Sequence, residues 1–110
     1  KVFIQKRDIE GMGNIGRIEM LFIKADKLME KLGFEKVQED ELGVTYLKKI
    51  EEHNFVHRID IVKKSDGNHL IQSYQTKTNS DGFNNCVGIK YPEMKAVMKK
   101  FRELKRKYRW

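Results

Sequence analysis

The chain has 110 residues, of which 39% are hydrophobic and 35% are charged, and its formal net charge at pH 7 is +7. This length predicts a single domain, residues 1–110, with one modest core that needs no disulfides or metals. The absence of an apolar run of about 18 residues excludes a membrane-spanning helix. The one cysteine, Cys86, excludes an internal disulfide, and the first residues do not fit a secretory signal, so we expect a cytoplasmic protein.

The start of the chain is less regular than the rest. Residues 2–4 predict a short strand, and the glycine-rich segment after them makes residues 1–16 a candidate loosely packed extension of the domain. Because the chain begins at Lys1 rather than at Met, Met12 and Met20 stay open as native starts.

Helical and alternating apolar patterns follow one another through the middle of the chain. From residue 17 to residue 32, apolar side chains recur three and four apart, which predicts an amphipathic helix that Gly33 ends. An extended segment then leads into an acidic turn at residues 38–43, whose carboxylates we expect to be solvated. Alternating patterns and an Asp-Gly turn predict three strands before a loop at residues 78–85. The strands are residues 44–50, 55–63 and 69–77.

The last part of the chain predicts a second amphipathic helix. Pro92 suits the first helical turn, and the negative charge of Glu93 complements the helix dipole there. The apolar stripe of this helix consists of Met94, Val97, Met98, Phe101, Leu104 and Tyr108. We therefore predict an α+β domain of two layers, in which an antiparallel three-stranded meander, with a candidate fourth strand at the N-terminus, packs both helices on one face.

The C-terminal helix carries almost all of the net charge. Residues 93–110 contain eight cations and two anions, which places +6 of the +7 there. At about 100° per residue, five of these cations share one face away from the apolar stripe, and Trp110 lies beside them. This set, the basic ridge, consists of Lys95, Lys99, Arg102, Arg106 and Arg109. Arginines bind phosphates in bidentate fashion and an indole stacks on bases, so the ridge predicts contact with nucleic acid or with another polyanion, such as an acidic protein.

Other interpretations of the surface stay open. A charged helix face is often only a solvated surface, and cations near a helix C-terminus also complement the dipole. A lipid surface is disfavoured because the apolar stripe is needed for the core. The alternative function is an interaction or accessory module of a bacterial or mobile-element system, which would use the polar third strand and the 78–85 loop. Its candidate surface residues are Gln72, Tyr74, Asp81, Phe83 and Asn84.

The candidate catalytic groups form no complete site. His57 lies on the predicted inward face of its strand, from which it could approach Cys86, but a nucleophile also needs an oriented base. We expect His57 to be a core or rim residue and Cys86 to be a small buried one. Catalysis is therefore disfavoured, and no catalytic residue is assigned.

No metal or cofactor is predicted either. His53 and His57 are four residues apart, which separates them widely along a strand instead of pairing them as ligands. Gly11, Gly13 and Gly16 match the letters of a dinucleotide-binding fingerprint, but no βαβ unit surrounds them.

Two segments resemble small proteins of Gram-positive bacteria and their mobile elements. They are KLGFEKVQED, residues 31–40, and HRIDIVKKSDGNHLIQSYQ, residues 57–75. The resemblance implies a bacterial protein, and it implies no particular activity and no site residue.

Overall fold

The computed structural model describes residues 23–50, 54–77 and 84–110, and it shows an α+β domain in this part of the chain. Five strands form one antiparallel sheet, in which each strand pairs with the next one in sequence. Two helices pack on one face of the sheet, so the predicted fold class is confirmed. The elements are α1 (Ala25–Lys31), β1 (Glu35–Asp40), β2 (Gly43–Ile50), β3 (Phe55–Val62), β4 (Leu70–Lys77), β5 (Asn84–Cys86) and α2 (Tyr91–Tyr108).

The described sheet has five strands instead of the predicted three-stranded meander. The two additional strands lie where the sequence predicted an extended segment with an acidic turn and a loop. Strand β1 continues through the first half of the predicted acidic turn at residues 38–43, and the turn itself occupies only Glu41 and Leu42. The short strand β5 begins inside the predicted 78–85 loop. The predicted N-terminal strand, residues 2–4, and residues 17–22 of the predicted first helix lie outside the described residues. Residues 23 and 24 were also predicted to be helical, but α1 begins only at Ala25, with Lys24 as its N-cap.

The two faces of the sheet differ in polarity. Directly paired residues of antiparallel strands share a face. On the helix side Val44 pairs with Ile61 and Tyr46 pairs with Ile59, and all four are buried. The helical segments complete this core with Leu28, Met29, Leu32, Ala96, Val97 and Leu104. Burial of each large side chain in this group stabilises the fold by about 1.5–3 kcal/mol.

Helix α2 is turned so that two charged residues lie on its buried side. Its buried residues are Glu93, Ala96, Val97, Lys100 and Leu104. Of the predicted apolar stripe, only Val97 and Leu104 are fully buried, while the remaining four members are partly exposed. The buried charge of Lys100 is compensated by ion pairs with Asp26 and Glu39 beneath the helix.

The turn between β1 and β2 brings two backbones into close approach. Gly43 has φ +143°, and a Cβ built there would lie 2.0 Å from the carbonyl oxygen of Ile61. Only glycine fits this position without moving β3.

Candidate anion-binding surface

The basic ridge lies on the outer side of α2. Arg102, Arg106 and Arg109 are exposed, and Lys95 and Lys99 are partly exposed. On the opposite side of the helix, the three apolar residues Ala96, Val97 and Leu104 are fully buried. The helix has 18 residues, which corresponds to a length of about 27 Å. Core packing therefore holds the helix while its cations face outward.

Cations crowd around Lys99. Burial, together with the nearby charges of Arg102 and Lys24, lowers the pKa of Lys99, whereas Glu103 opposes the shift. Lys24 is exposed and directly precedes α1, whose first backbone amide, that of Ala25, donates a 3.1 Å hydrogen bond to Glu103. This contact between α1 and α2 brings Lys24 to the flank of the ridge. The sequence contained no signal for Lys24, because only the tertiary fold places it there.

One end of the ridge is held by a local contact, and the other lies at the C-cap of α2. The ammonium of Lys95 lies 5.1 Å from the ring centroid of Tyr91, a cation–π distance. Arg109 is the C-cap of α2, with a left-handed backbone at φ +54°. It therefore extends the ridge just beyond the last helical residue.

The structure places Trp110 in an aromatic cluster. Its ring centroid lies 4.8 Å from that of His69 and 6.0 Å from that of Phe101. Its indole nitrogen donates a 3.0 Å hydrogen bond to the carbonyl oxygen of Glu41. These contacts attach the C-terminus to two turns of the sheet. Stacking on a base would compete with these contacts of Trp110.

A network of charged groups lies beneath α2. The side chain of Glu39 is only 8% exposed, and it accepts hydrogen bonds from Lys36, Lys100, Lys107 and Tyr108. These four donors outweigh burial and hold the pKa of Glu39 far below its ordinary value of 4.5. The expectation of solvated carboxylates in an acidic turn is therefore wrong for Glu39. Its burial depends on partners 61 to 69 residues away in the sequence, which no local pattern reveals.

Asp26 completes this network from α1. It accepts a 2.6 Å hydrogen bond from the hydroxyl of Tyr46, and it pairs with Lys36 at 2.7 Å and Lys100 at 3.1 Å. These donors lower the pKa of Asp26 against the opposing effect of burial. The hydrogen bonds to Asp26 and Glu39 raise the pKa of Lys36. The two lysines thus bridge the same pair of ionised carboxylates.

A groove of about 440 Å³ opens above this network, between α1, β1 and α2. Five cations and three carboxylates line it, which leaves a net charge of +2. Arg106 belongs both to this lining and to the basic ridge. The groove therefore continues the basic surface around the side of α2.

The alternative interaction surface is described only in part. Gln72 is exposed and Tyr74 is partly exposed, and both lie on the sheet face opposite the helices. The hydroxyl of Tyr74 donates a 2.8 Å hydrogen bond to the buried Asp60, and burial together with this bond raises the pKa of Tyr74 to about 12. Asp81, Phe83 and the side chain of Asn84 lie outside the described part of the chain. This surface stays a prediction.

The histidine and cysteine candidates are not brought together. Cys86 pairs with Tyr74, which faces away from the helices, whereas His57 lies on the helix side, 2.7 Å from the hydroxyl of Ser73. The two side chains therefore project from opposite faces of the sheet. Cys86 is also exposed, so the prediction of a small buried residue is wrong. His57 is a core residue, as expected, and burial lowers its pKa.

The described residues hold neither a cluster of metal ligands nor a membrane-spanning helix. No group of three or more potential ligands clusters within the described residues. Among the described helices, none combines the length and apolar character needed to cross a membrane. His53 lies outside the described residues.

Comparisons with known proteins identify no relative of this chain. The sequence matches no protein-family model, and no similar curated protein or solved structure was found.

Proposed function

We propose that the protein binds nucleic acid through the phosphate backbone, with the basic ridge of α2 as its main contact surface. One observation carries this proposal: α2 is fixed to the core along one side and presents four cations on the other, with Arg109 added at its C-cap and Lys24 from a second element. A cytoplasmic location, where nucleic acid is available as a partner, is part of the same proposal.

The crowding around Lys99 supports an anionic partner. Like charges held close together repel one another, and the lowered pKa of Lys99 includes this repulsion from Arg102 and Lys24. A polyanion laid along the ridge relieves the repulsion and is favoured for that reason. Binding is therefore expected to raise the pKa of Lys99.

The dimensions of the ridge suit a phosphate backbone. Lys95 and Arg109 are fourteen positions apart, which corresponds to about 21 Å along a helix. Duplex DNA presents one charge per roughly 1.7 Å of axis, so each ridge cation has a phosphate within reach. Because Trp110 is engaged in its own cluster, the surface offers phosphate contacts rather than base contacts. We expect binding with little sequence preference.

The proposal is tested by a charge-matched pair of triple variants. The ridge variant combines Lys99→Ala, Arg102→Ala and Arg106→Ala. The control variant combines Lys49→Ala, Lys63→Ala and Lys64→Ala, three exposed lysines outside the ridge. Both variants lower the formal net charge from +7 to +4.

The measurement is the dissociation constant for a duplex of arbitrary sequence at about 0.1 M salt. Losing three phosphate contacts weakens binding by about two to three orders of magnitude through lost counterion release. The ridge variant should show this loss, and the control variant should stay within several-fold of the unmodified protein. Equal weakening in both variants would mean that net charge alone drives association, and the ridge assignment would be wrong.

A further inference from the structure

The groove beside α2 has the charge and the donors of a site for one phosphate group. Its floor consists of the two ionised carboxylates Asp26 and Glu39 with the two lysines that bridge them, so the floor is electrically balanced. The rim carries three further cations, Lys24, Arg106 and Lys107, against one carboxylate. The surplus of +2 is therefore concentrated at the open side.

The rim cations are available to a ligand in different ways. Lys24 and Arg106 are exposed, and neither forms an ion pair with any residue that the structure describes. Lys107 contacts Glu39 at 2.8 Å, yet 63% of its side chain is exposed. Glu39 keeps three other donors when Lys107 turns away. The rim can therefore offer three cations to an anion without leaving Glu39 unpaired.

The carboxylate of the rim is already committed. Glu103 accepts the hydrogen bond of the Ala25 backbone amide, at the point where α1 meets α2. Its charge is thereby directed toward the helix junction. The two carboxylates of the floor are also paired, each with both lysines, so they leave no free negative charge for a cationic ligand.

We propose that this groove binds a single phosphate group, which as a monoester carries a charge of about −1.5 to −2 at pH 7 and so nearly matches the surplus of the lining. Arg106 supplies a planar pair of N–H donors for two phosphate oxygens, and Lys24 and Lys107 supply ammonium groups on either side. Such a group occurs as a terminal phosphate of nucleic acid and as free phosphate. Binding of a terminal phosphate of nucleic acid rests on the proposed function. In that case the ridge holds the nucleic-acid strand and the groove holds its phosphorylated end.

The experiment compares two single-stranded oligonucleotides of one sequence, with a 5′-phosphate or a 5′-hydroxyl, and inorganic phosphate as the free source. The groove variant is Lys24→Ala with Lys107→Ala, neither of which is one of the five ridge cations; Lys24 flanks the ridge, so the readout is the ratio between the two oligonucleotides rather than the affinity itself. The ridge variant here is Lys99→Ala with Arg102→Ala, and Lys63→Ala with Lys64→Ala is the charge-matched control. Lys24→Ala alone, which breaks no ion pair of the described chain, serves as a second groove variant if the double one is unstable.

The unmodified protein should bind the 5′-phosphate oligonucleotide about tenfold more tightly than the 5′-hydroxyl one, the value of one charge-assisted contact. The groove variants should lose this ratio, whereas the ridge variant should weaken both oligonucleotides and keep it. Inorganic phosphate should shift backbone amide resonances around Ala25 and Lys107 in the unmodified protein and not in the groove variant.

The outcomes separate this site from the proposed function. A ratio near one without resonance shifts by inorganic phosphate, or a ratio that survives in the groove variants, overturns the groove site while backbone binding by the ridge stands. If neither oligonucleotide binds but inorganic phosphate still shifts the groove resonances, the groove site is supported with free phosphate as its source, and the proposed function fails. Absence of every one of these signals overturns both.

Discussion

The charge network beneath α2 makes a specific prediction for Glu39→Gln. The substitution keeps the shape of the side chain and removes the charge that faces Lys100, whose own side chain is only 6% exposed. Removing one partner of a buried ion pair costs about 3–5 kcal/mol. Asp26 remains 3.1 Å from the same ammonium and retains part of this attraction. We therefore expect a loss of about 2–3 kcal/mol in the free energy of unfolding at pH 7.

The pH dependence follows from the lowered pKa of Glu39. Below pH 4.5 the unfolded chain takes up a proton at this residue, while the folded protein keeps it ionised. The stabilisation by Glu39 is thus fully present above pH 4.5 and is lost as the pH falls, by about 1.4 kcal/mol per pH unit. Between pH 4.5 and pH 3 this amounts to about 2 kcal/mol. Glu39→Gln lacks this titration, so the gap between the two proteins should narrow toward pH 3.

Urea unfolding, followed by circular dichroism at several pH values, measures both effects. Glu41→Gln is the matched control, because Glu41 is exposed on the neighbouring turn and its carboxylate forms no ion pair within the described residues. If Glu39→Gln and Glu41→Gln differ by less than about 0.5 kcal/mol at pH 7, the network is not a stabilising one. A gap that stays constant from pH 7 to pH 3 would show that the lowered pKa is wrong.

Two further predictions concern the sheet. Gly43→Ala should cost more than about 3 kcal/mol because its Cβ would meet the Ile61 carbonyl oxygen at 2.0 Å, whereas Gly67→Ala, at φ +84° with open space around it, should cost only about 1 kcal/mol. Similar losses in the two variants, measured by urea unfolding, would remove the close approach as the cause. Asp60→Asn should lower the pKa of Tyr74 from about 12 toward its ordinary value of 10.0, since it removes a charged acceptor of the phenol proton. Absorbance titration of the phenolate checks this, and an unchanged pKa would contradict it.

The elements that sequence alone could predict are those with a local physical signature. Helix α2 begins at Tyr91 with a proline in its first turn, and Glu93 accepts a 2.9 Å hydrogen bond from the backbone amide of Lys90. Residue type and position suffice for that prediction. The central strand β3 was predicted over residues 55–63 and runs over Phe55–Val62, because its alternation of apolar residues is local too.

The features that sequence could not predict depend on distant partners. The sequence of strand β1 resembles a polar loop, because its inward-facing residues Lys36 and Glu39 pair with charged side chains instead of packing against apolar ones. Lys100 is buried for the same reason, although helical periodicity places it away from the apolar stripe. The basic ridge could be predicted from the sequence, because its members share one face of a single helix. The position of Lys24 beside the ridge and the groove could not be predicted, since both depend on the packing of α1 against α2.

The salt dependence of duplex binding tests the central claim most directly. If all five ridge cations contact phosphates, a plot of the logarithm of the association constant against the logarithm of salt concentration should have a slope of about −4.5. The ridge triple variant, Lys99→Ala, Arg102→Ala and Arg106→Ala, should give a slope of about −1.8, and the control triple variant should keep about −4.5. A slope near zero, or the same slope in the ridge variant as in the unmodified protein, would contradict binding through the basic ridge.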